Sequence, residues 1–185
     1  MKPWQVQQWC LPPQGSAAFV CAMENALEVY ARPRDPQRSL VCPDEFCKQL
    51  IGEARATVSA HPGQPERQDY EHIRHGMCRV FMACSPLESW HEVRVTGQRT
   101  TRDYAPTIRW LCDEVYPHAE EIILVLDNLN THTPLPLYEP FPPAQALRLK
   151  VRIEWHHTPK YGSWLSMAEN EMGVAQRQCL RQSTI

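Results

Sequence analysis

The sequence lacks any long hydrophobic run, and no stretch approaches the roughly 18 apolar residues of a membrane-spanning helix. The start of the chain, Met1-Lys2-Pro3-Trp4, leads into a polar segment rather than the apolar core of a signal peptide. An excess of charge of one sign is also missing, because 19 Lys and Arg face 21 Asp and Glu, a net charge of −2. We therefore expect a soluble, cytoplasmic protein without a general electrostatic attraction to nucleic acids or to membranes.

The cysteine spacing of a zinc site is missing, although the chain contains eight cysteines. No Cys-x-x-Cys occurs, and the closest pairs, Cys42/Cys47 and Cys78/Cys84, lack the short spacing of a zinc knuckle. A chain of 185 residues needs no disulfides to bury a core. We expect reduced thiols without bound metal, most of them packed as small apolar residues.

Glycine is scarce, with 7 residues against 17 prolines, and the prolines fall where the hydrophobic patterns end. These patterns predict helices at about 16–32, 100–115, 144–150 and 163–180, and strands at 39–44, 78–84, 91–96, 122–127 and 152–156. Residues 53–70 and 134–143 have no sustained period and are predicted to be loops. The order of elements predicts one α/β domain, a mixed sheet flanked by helices.

Two aspartates close apolar strands in this prediction. Asp44 follows the first strand and Asp127 follows the continuous apolar run at 122–126. Because sites in such sheets form outside the strand ends, the two carboxylates converge if their strands are neighbours. A third acid could come from the last helix, and three carboxylates with water are what a pair of magnesium ions requires. The chemistry indicated is phosphoryl transfer.

Simpler interpretations of the same residues stay open at this point. An aspartate that closes a strand is often only a turn residue or the N-cap of the next element. Glu45 follows Asp44 directly, but a strand has a period of two, so only one of them faces the site. Asp44 shares its face with Leu40 and Cys42 and is preferred. His132 could orient a phosphate or a ligand, or be a surface residue.

Three segments resemble a known family of proteins. Residues 124–132, LVLDNLNTH, and residues 157–169, HTPKYGSWLSMAE, closely resemble the second and third acidic motifs of the DDE transposases of the insertion sequence 630 family, relatives of the mariner elements. Residues 41–50, VCPDEFCKQL, resemble the first. The resemblance extends from about residue 2 to residue 180. It implies a ribonuclease-H-like catalytic domain at 36–185, preceded by a linker and a leading helix at 1–35.

The resemblance also implies an activity and a site. Members of the family bind two magnesium or manganese ions, nick DNA at the element ends and join the free 3′-hydroxyl to target DNA. For this chain the resemblance implies the same activity in a bacterial cytoplasm. Asp44, Asp127 and Glu169 correspond to the acidic triad that holds the ions, and Asn128 and His132 to accessory positions beside it.

This sequence departs from the family pattern near two of the acids. Phe46 and Cys47 stand where a small hydroxyl residue or lysine is usual, and Ser166 stands in place of the usual asparagine. Both departures could weaken metal positioning. Family members carry N-terminal helix-turn-helix modules and continue beyond residue 180, so the resemblance implies that both ends are truncated.

The expected partners are DNA, both transposon ends and target, and either a second copy of the chain or a separate N-terminal DNA-binding polypeptide. Residues 141–185 contain six Lys or Arg against three Glu and could face a phosphate backbone. Two other interpretations remain: a catalytically inactive remnant or partner subunit of a transposase, and a host nuclease on the same fold.

Two glutamates compete for the third position of the site. Glu169 and Glu171 lie two residues apart on one predicted helix, so their side chains point about 200° apart and cannot both reach one metal pair. The resemblance selects Glu169. Its position four residues after Leu165 also places it beside the apolar stripe, although Glu171 flanks that stripe on the other side.

Overall fold

Five strands and four α-helices occur in the part of the chain that the computed structural model describes, residues 16–67, 69–96, 101–128 and 132–180, with the side chains of 101–103 excepted. The predicted linker before residue 16 lies outside these ranges. The elements follow in this order: α1 (Ala17–Ala31), β1 (Arg38–Glu53), β2 (His72–Ser85), β3 (Trp90–Thr96), α2 (Thr101–Trp110), β4 (Glu121–Leu126), α3 (Pro143–Val151), β5 (Ile153–His157) and α4 (Met167–Ala175).

The strands form one mixed sheet in the order β3-β2-β1-β4-β5. The first three strands along the chain are antiparallel neighbours, whereas β4 runs parallel to both β1 and β5. This arrangement confirms the predicted α/β class, because the parallel strands are linked through helices while β2 and β3 are joined by a tight turn at 86–89.

Helices cover both faces of the sheet. On one face Val41, Ile122 and Leu124 pack in a cluster with Ile108 of α2 and Leu149 of α3. The opposite face packs against α1 and α4, and its cluster contains Val29, Leu40, Cys42, Cys84, Ile123, Val125 and Ala168. Successive strand residues alternate between the two faces, so Asp44, two residues after Cys42, belongs to the face that α1 and α4 cover.

Helix α1 begins as predicted, because the Ser16 side chain accepts a hydrogen bond from Phe19 N at 3.1 Å. Its other end is held on the edge strand β5. Arg32 Nη1 donates to Glu154 Oε1 at 3.0 Å, and the Nδ1 of His156 lies 2.7 Å from Asn25 Oδ1. These contacts fix α1 against the sheet close to the start of α4.

The first two strands are longer than the sequence pattern predicts. β1 continues to Glu53 and β2 begins at His72, and beyond the sheet the two strands pair only with each other. Most of this extension is exposed or half-buried, so it shows no hydrophobic period, and backbone hydrogen bonds define it. The register shifts between Gln49 and Ile51, opposite Gly76, whose φ of 98° suits the irregularity.

The last predicted helix is shorter than expected. Residues Ser163–Leu165 form a 3₁₀ turn, and Ser166 is extended with ψ 117°, so α4 begins at Met167 and gives way to a π-helical turn after Ala175. Glu169 therefore does not lie one helical turn after Leu165, as the sequence pattern predicts, although Leu165 is buried. None of the helices in the described ranges is long and apolar enough to cross a membrane.

Candidate active site

Asp44 and Asp127 are brought together by the parallel pairing of β1 and β4. The register pairs Arg38 with Glu121 and Val41 with Leu124, and the same offset places Asp44 level with Asp127. Asp44 lies within β1 rather than at its end, opposite Met82 of β2, so the predicted strand boundary is wrong. Because β4 stops at Leu126, the sheet opens beside Asp44 and leaves room for side chains there.

Asp44 is a buried carboxylate, with 6% of its surface exposed. Burial raises its pKa to about 6, although its Oδ1 accepts a hydrogen bond from Glu45 N at 2.7 Å. The charges of Asp127 and Glu169 raise this pKa further, whereas His132 lowers it. All three side chains therefore lie within electrostatic range of Asp44.

His132 holds Asp127 in place. A hydrogen bond joins His132 Nδ1 to Asp127 Oδ1. The imidazole is 1% exposed and stacks on the Tyr104 ring at a centroid distance of 5.2 Å, and His157 Nε2 donates to its carbonyl oxygen at 2.7 Å. The alternative interpretation of His132 as a surface residue is therefore wrong, because ring packing and two hydrogen bonds fix it beneath the carboxylate.

Asn128 lies beside Asp127 but points its amide towards β5. Its Nδ2 donates to the carbonyl oxygen of Thr158, whose own N–H donates to Leu126 O at 2.8 Å. Asn128 therefore ties the ends of β4 and β5 together. It also lines an open cavity of about 520 Å³ with the exposed Lys160.

The structure separates the two competing glutamates. Glu169 is exposed in the first turn of α4, and its charge acts on Asp44. Glu171 acts instead on Cys84 and lines a different cavity, of about 280 Å³. Of the two, Glu169 is thus the one within electrostatic range of Asp44, although its separation from Leu165 is not a helical turn.

Tyr30 anchors the segment that leads into α4. Its hydroxyl donates to Leu165 O at 2.9 Å and accepts from Met167 N at 3.4 Å. Neither this residue nor Tyr104 is predicted as a site residue from the sequence, because each appears there only as an apolar member of a helical pattern. Their contacts join segments far apart in the chain, for which a single sequence contains no signal.

The donor set suits a hard divalent cation. Carboxylate oxygens are the ligands that Mg²⁺ and Mn²⁺ prefer. A cation would also offset the burial and, to a lesser extent, the repulsion by Asp127 and Glu169 that raise the pKa of Asp44. Within the described ranges, no three His, Cys, Asp or Glu side chains form a cluster that could hold a metal ion. The residues therefore suit a divalent cation by the chemistry of their oxygen atoms, but they do not form a preassembled metal-binding cage.

The basic residues of the C-terminal part do not form one surface. Arg148 is paired with Asp113 at 2.7 Å, and Arg152 donates to the carbonyl oxygens of Cys112, Tyr116 and Ala119, so both bind their own chain. Lys160 and Arg177 are exposed near the site, in separate cavities lined also by Asn128 and by Lys48 respectively. The expectation of a phosphate-facing end is thus reduced to a few residues.

The sequence profile described as "DDE superfamily endonuclease" matches residues 39–185 of this chain. A search of curated protein sequences with this chain found no match.

Several solved structures are similar to this one. They include the Mos1 mariner paired end complex with Mg, with a TM-score of 0.57 and 18% identity over 97% of this chain and 53% of that chain. The same complex with Mn has a TM-score of 0.56 and 18% identity, over 98% and 54%. A complex with the left transposon end has a TM-score of 0.52 and 19% identity, over 95% and 53%. The chain spans about half the length of these proteins, and the likeness shows a ribonuclease-H-like fold.

Proposed function

This chain belongs to the DDE superfamily endonucleases, and we propose that it is the catalytic core of a transposase of the insertion sequence 630 type. Its reaction would be metal-dependent cleavage of DNA followed by transfer of the free 3′-hydroxyl to a target strand. The observation that supports this proposal most directly is the electrostatic influence of Asp127 and Glu169 on the buried Asp44, at the place where β4 ends beside β1.

Asp44, Asp127 and Glu169 would hold Mg²⁺ or Mn²⁺, and we propose two ions. When bound, such ions polarise the attacked phosphate and lower the pKa of the attacking water or hydroxyl. Each of the three carboxylates comes from a different element, so the fold, and not a local loop, sets their spacing.

The chain's own contacts would orient two of these carboxylates. Glu45 N donates to Asp44 Oδ1, and His132 Nδ1 is hydrogen-bonded to Asp127 Oδ1, so both carboxylates are oriented by neighbouring groups. Glu169 is exposed and depends on the anchoring of α4 by Tyr30. Such preorganisation lowers the cost of assembling a charged site.

DNA is the proposed substrate and partner, as element ends and as target. The titles of the similar structures describe a paired end complex and a strand transfer complex of the Mos1 transposase. For this chain we propose the same class of ligand, bound by a homodimer or together with a separate DNA-binding polypeptide, in the bacterial cytoplasm.

The test is a cleavage and strand-transfer assay with duplex DNA that carries the element's own ends, in Mg²⁺ or Mn²⁺. We expect nicked and joined products with the parent and a loss of about 10²-fold or more with Asp127→Asn, because a charged ligand is removed. Asp113→Asn is the matched control, since Asp113 pairs with Arg148 on α3, on the other side of the sheet. Equal activity of the parent and Asp127→Asn would contradict the proposal.

The second candidate is a catalytically inactive subunit that retains the fold. Two observations favour it: the described residues contain no preassembled metal cluster, and Ser166, whose buried hydroxyl has no hydrogen-bond partner among them, stands before the third acid. Metal-dependent stabilisation without cleavage or joining in the same assay would identify this candidate.

A further inference from the structure

Cys42 and Cys84 face each other across the antiparallel strands β1 and β2. They are direct register partners, and both belong to the core cluster beneath α1 and α4. Cys84 Sγ donates to Cys42 O at 3.6 Å, and the two thiols also interact with each other. The structure thus places two free thiols in contact inside the core, next to the strand position that carries Asp44.

The two thiols differ in access to solvent. Cys42 is completely buried and Cys84 is 3% exposed, but Cys84 also lines the open cavity of about 280 Å³ that Glu171, Trp90 and His91 line. The Cys84 side of the pair is therefore the side nearer to solvent, and we expect a small polar oxidant to approach the two thiols from this cavity. The Cys42 thiol interacts with the Cys84 thiol and with the Tyr30 hydroxyl, which lies 3.6 Å from Cys42 Sγ.

We propose that Cys42 and Cys84 are a thiol-oxidation site that reacts with hydrogen peroxide to form a reversible disulfide. The Cys84 sulfur attacks the peroxide, the O–O bond breaks, and Cys84 becomes a sulfenic acid while its thiol proton leaves with the released oxygen as water. The Cys42 sulfur then attacks this sulfur, an S–S bond forms, the S–O bond breaks, and the second oxygen leaves as water with the Cys42 proton. Two sulfurs are oxidised by one electron each, and the two peroxide oxygens are reduced.

Closing this bond moves the surrounding structure. Opposite residues of an antiparallel pair have Cβ atoms about 4.5–5.5 Å apart, whereas a disulfide requires about 3.8 Å, so the two Cβ atoms must approach each other by roughly 1 Å and both sulfurs must move. The Tyr30 hydroxyl contacts the Cys42 sulfur and also binds Leu165 O and Met167 N at the start of α4. Oxidation therefore displaces the anchor of the helix that carries Glu169. This last consequence, an effect on activity, rests on the proposed function; the disulfide itself does not.

The chain contains an internal control for the position of the disulfide. Cys47 and Cys78 also lie on β1 and β2, but Cys47 is paired with Arg79 and Cys78 with Lys48. Because neighbouring strand residues point to opposite faces, these two sulfurs lie on different sides of the ribbon and should not join. Cys47 is exposed and therefore reports that the oxidant is present and active.

The experiment treats the intact chain with hydrogen peroxide, blocks the remaining thiols with iodoacetamide in denaturant, and maps non-reduced peptides by mass spectrometry. We expect a Cys42–Cys84 linked peptide as the main disulfide, absent before treatment and lost after dithiothreitol. A Cys47–Cys78 link should not form. The proposal is overturned if Cys42 and Cys84 are both recovered as alkylated thiols in samples in which Cys47 is oxidised.

Variants test the order of the two steps. Cys42→Ser should leave Cys84 as a sulfenic acid that a dimedone probe labels, whereas Cys84→Ser should leave Cys42 as an unlabelled thiol. The assigned order is wrong if dimedone labels Cys42 in the Cys84→Ser variant as fast as it labels Cys84 in the Cys42→Ser variant. Should either serine variant fail to fold, Cys→Ala replacements and the peptide map of the parent decide instead.

Hydrogen exchange tests the connection to α4. Amides at 163–175 should exchange severalfold faster after oxidation of the parent, recover with dithiothreitol, and not respond in Cys84→Ser. A linked parent with unchanged exchange would refute the displacement of α4. Failure of the proposed function gives a different result. The linked peptide and the faster hydrogen exchange would still be observed, but the protein would show no cleavage activity in either redox state.

Discussion

Asp44 of β1 lies level with Asp127, the residue that follows β4, because the two aspartates have the same offset as the paired residues Val41 and Leu124 of these parallel strands. This pairing places two like charges close together, one of them almost fully buried. Such an arrangement costs stability when no cation is bound, and the cost is typical of a site that is organised for ligand binding.

Replacing Asp44 by Asn is expected to stabilise the metal-free protein at pH 7.5 by up to about 3 kcal/mol. The pKa of Asp44 is raised from 3.8 to about 6 by burial, so ionisation is less favourable in the folded than in the unfolded state. The neutral amide removes that penalty. Chemical denaturation of both proteins in a chelator measures the difference in the free energy of unfolding.

The pH dependence provides the matching check. Between about pH 4 and pH 6 the unfolded chain loses the Asp44 proton while the folded chain keeps it, so the parent loses stability as the pH rises through this window. Asp44→Asn should lack this decrease. Asp113→Asn is the control of opposite sign, because the hydrogen bond from Arg148 lowers the pKa of Asp113, and its amide should bring no gain. A less stable Asp44→Asn protein at pH 7.5 would refute this account.

Mn²⁺ should raise the melting temperature of the parent, and Glu169→Gln should remove most of that increase. Binding to the folded state alone stabilises by about 2.7 kcal/mol when the free ion is present at about 100 times its Kd. Glu171→Gln is the matched variant on the same helix and should behave like the parent, because Glu171 faces the cavity beside Cys84. In the cleavage assay Glu169→Gln should likewise be inactive, and loss of cleavage with Glu171→Gln alone would show that the third acid is misassigned.

Tyr104→Phe should leave stability unchanged or raise it by up to about 1 kcal/mol. The Tyr104 hydroxyl is buried, and within the described ranges it has no hydrogen-bond partner, so its removal relieves a desolvation cost while the ring still stacks on His132. Tyr116→Phe should instead cost about 1 kcal/mol, because the Tyr116 hydroxyl donates to Glu88 at 3.2 Å. Thermal unfolding of the two variants side by side tests this, and a large loss in Tyr104→Phe would point to a bonded hydroxyl.

DNA binding by this chain should be weak, insensitive to sequence and strongly reduced by salt. Lys160→Ala and Arg177→Ala should each lower the affinity and reduce the salt slope by about one charge, if these exposed side chains contact phosphates. Lys150→Ala is the matched control, because Lys150 is exposed on α3 at the opposite face of the sheet. Titrations with element-end and scrambled duplexes at several salt concentrations measure these effects. Strong preference for the element end, or an equal loss with Lys150→Ala, would contradict the prediction.

The local spacing of hydrophobic residues was sufficient to predict several helices and strands. Helix α1, the strand β4 and the hairpin of β2 and β3 follow from apolar spacing and from the Ser16 cap, because those signals act between residues at most four apart. The extension of β1 and β2 beyond the sheet was missed, since exposed strands held by backbone pairing have no apolar period. The break at Ser166 was missed because the apolar residues on either side of it still fall at helical spacing.

The sequence alone determined the class of fold, the acidic residue types and the motifs that indicate a metal-dependent endonuclease, because these depend on composition and short-range order. Only the tertiary structure decided that Asp44 lies level with Asp127, that the Tyr104 ring stacks on His132, and that Cys42 is paired with Cys84. Those relationships join segments 28 to 83 residues apart. They depend on strand register and on how helices pack over the sheet, and both arise from the free energy of the whole folded chain rather than from any local segment.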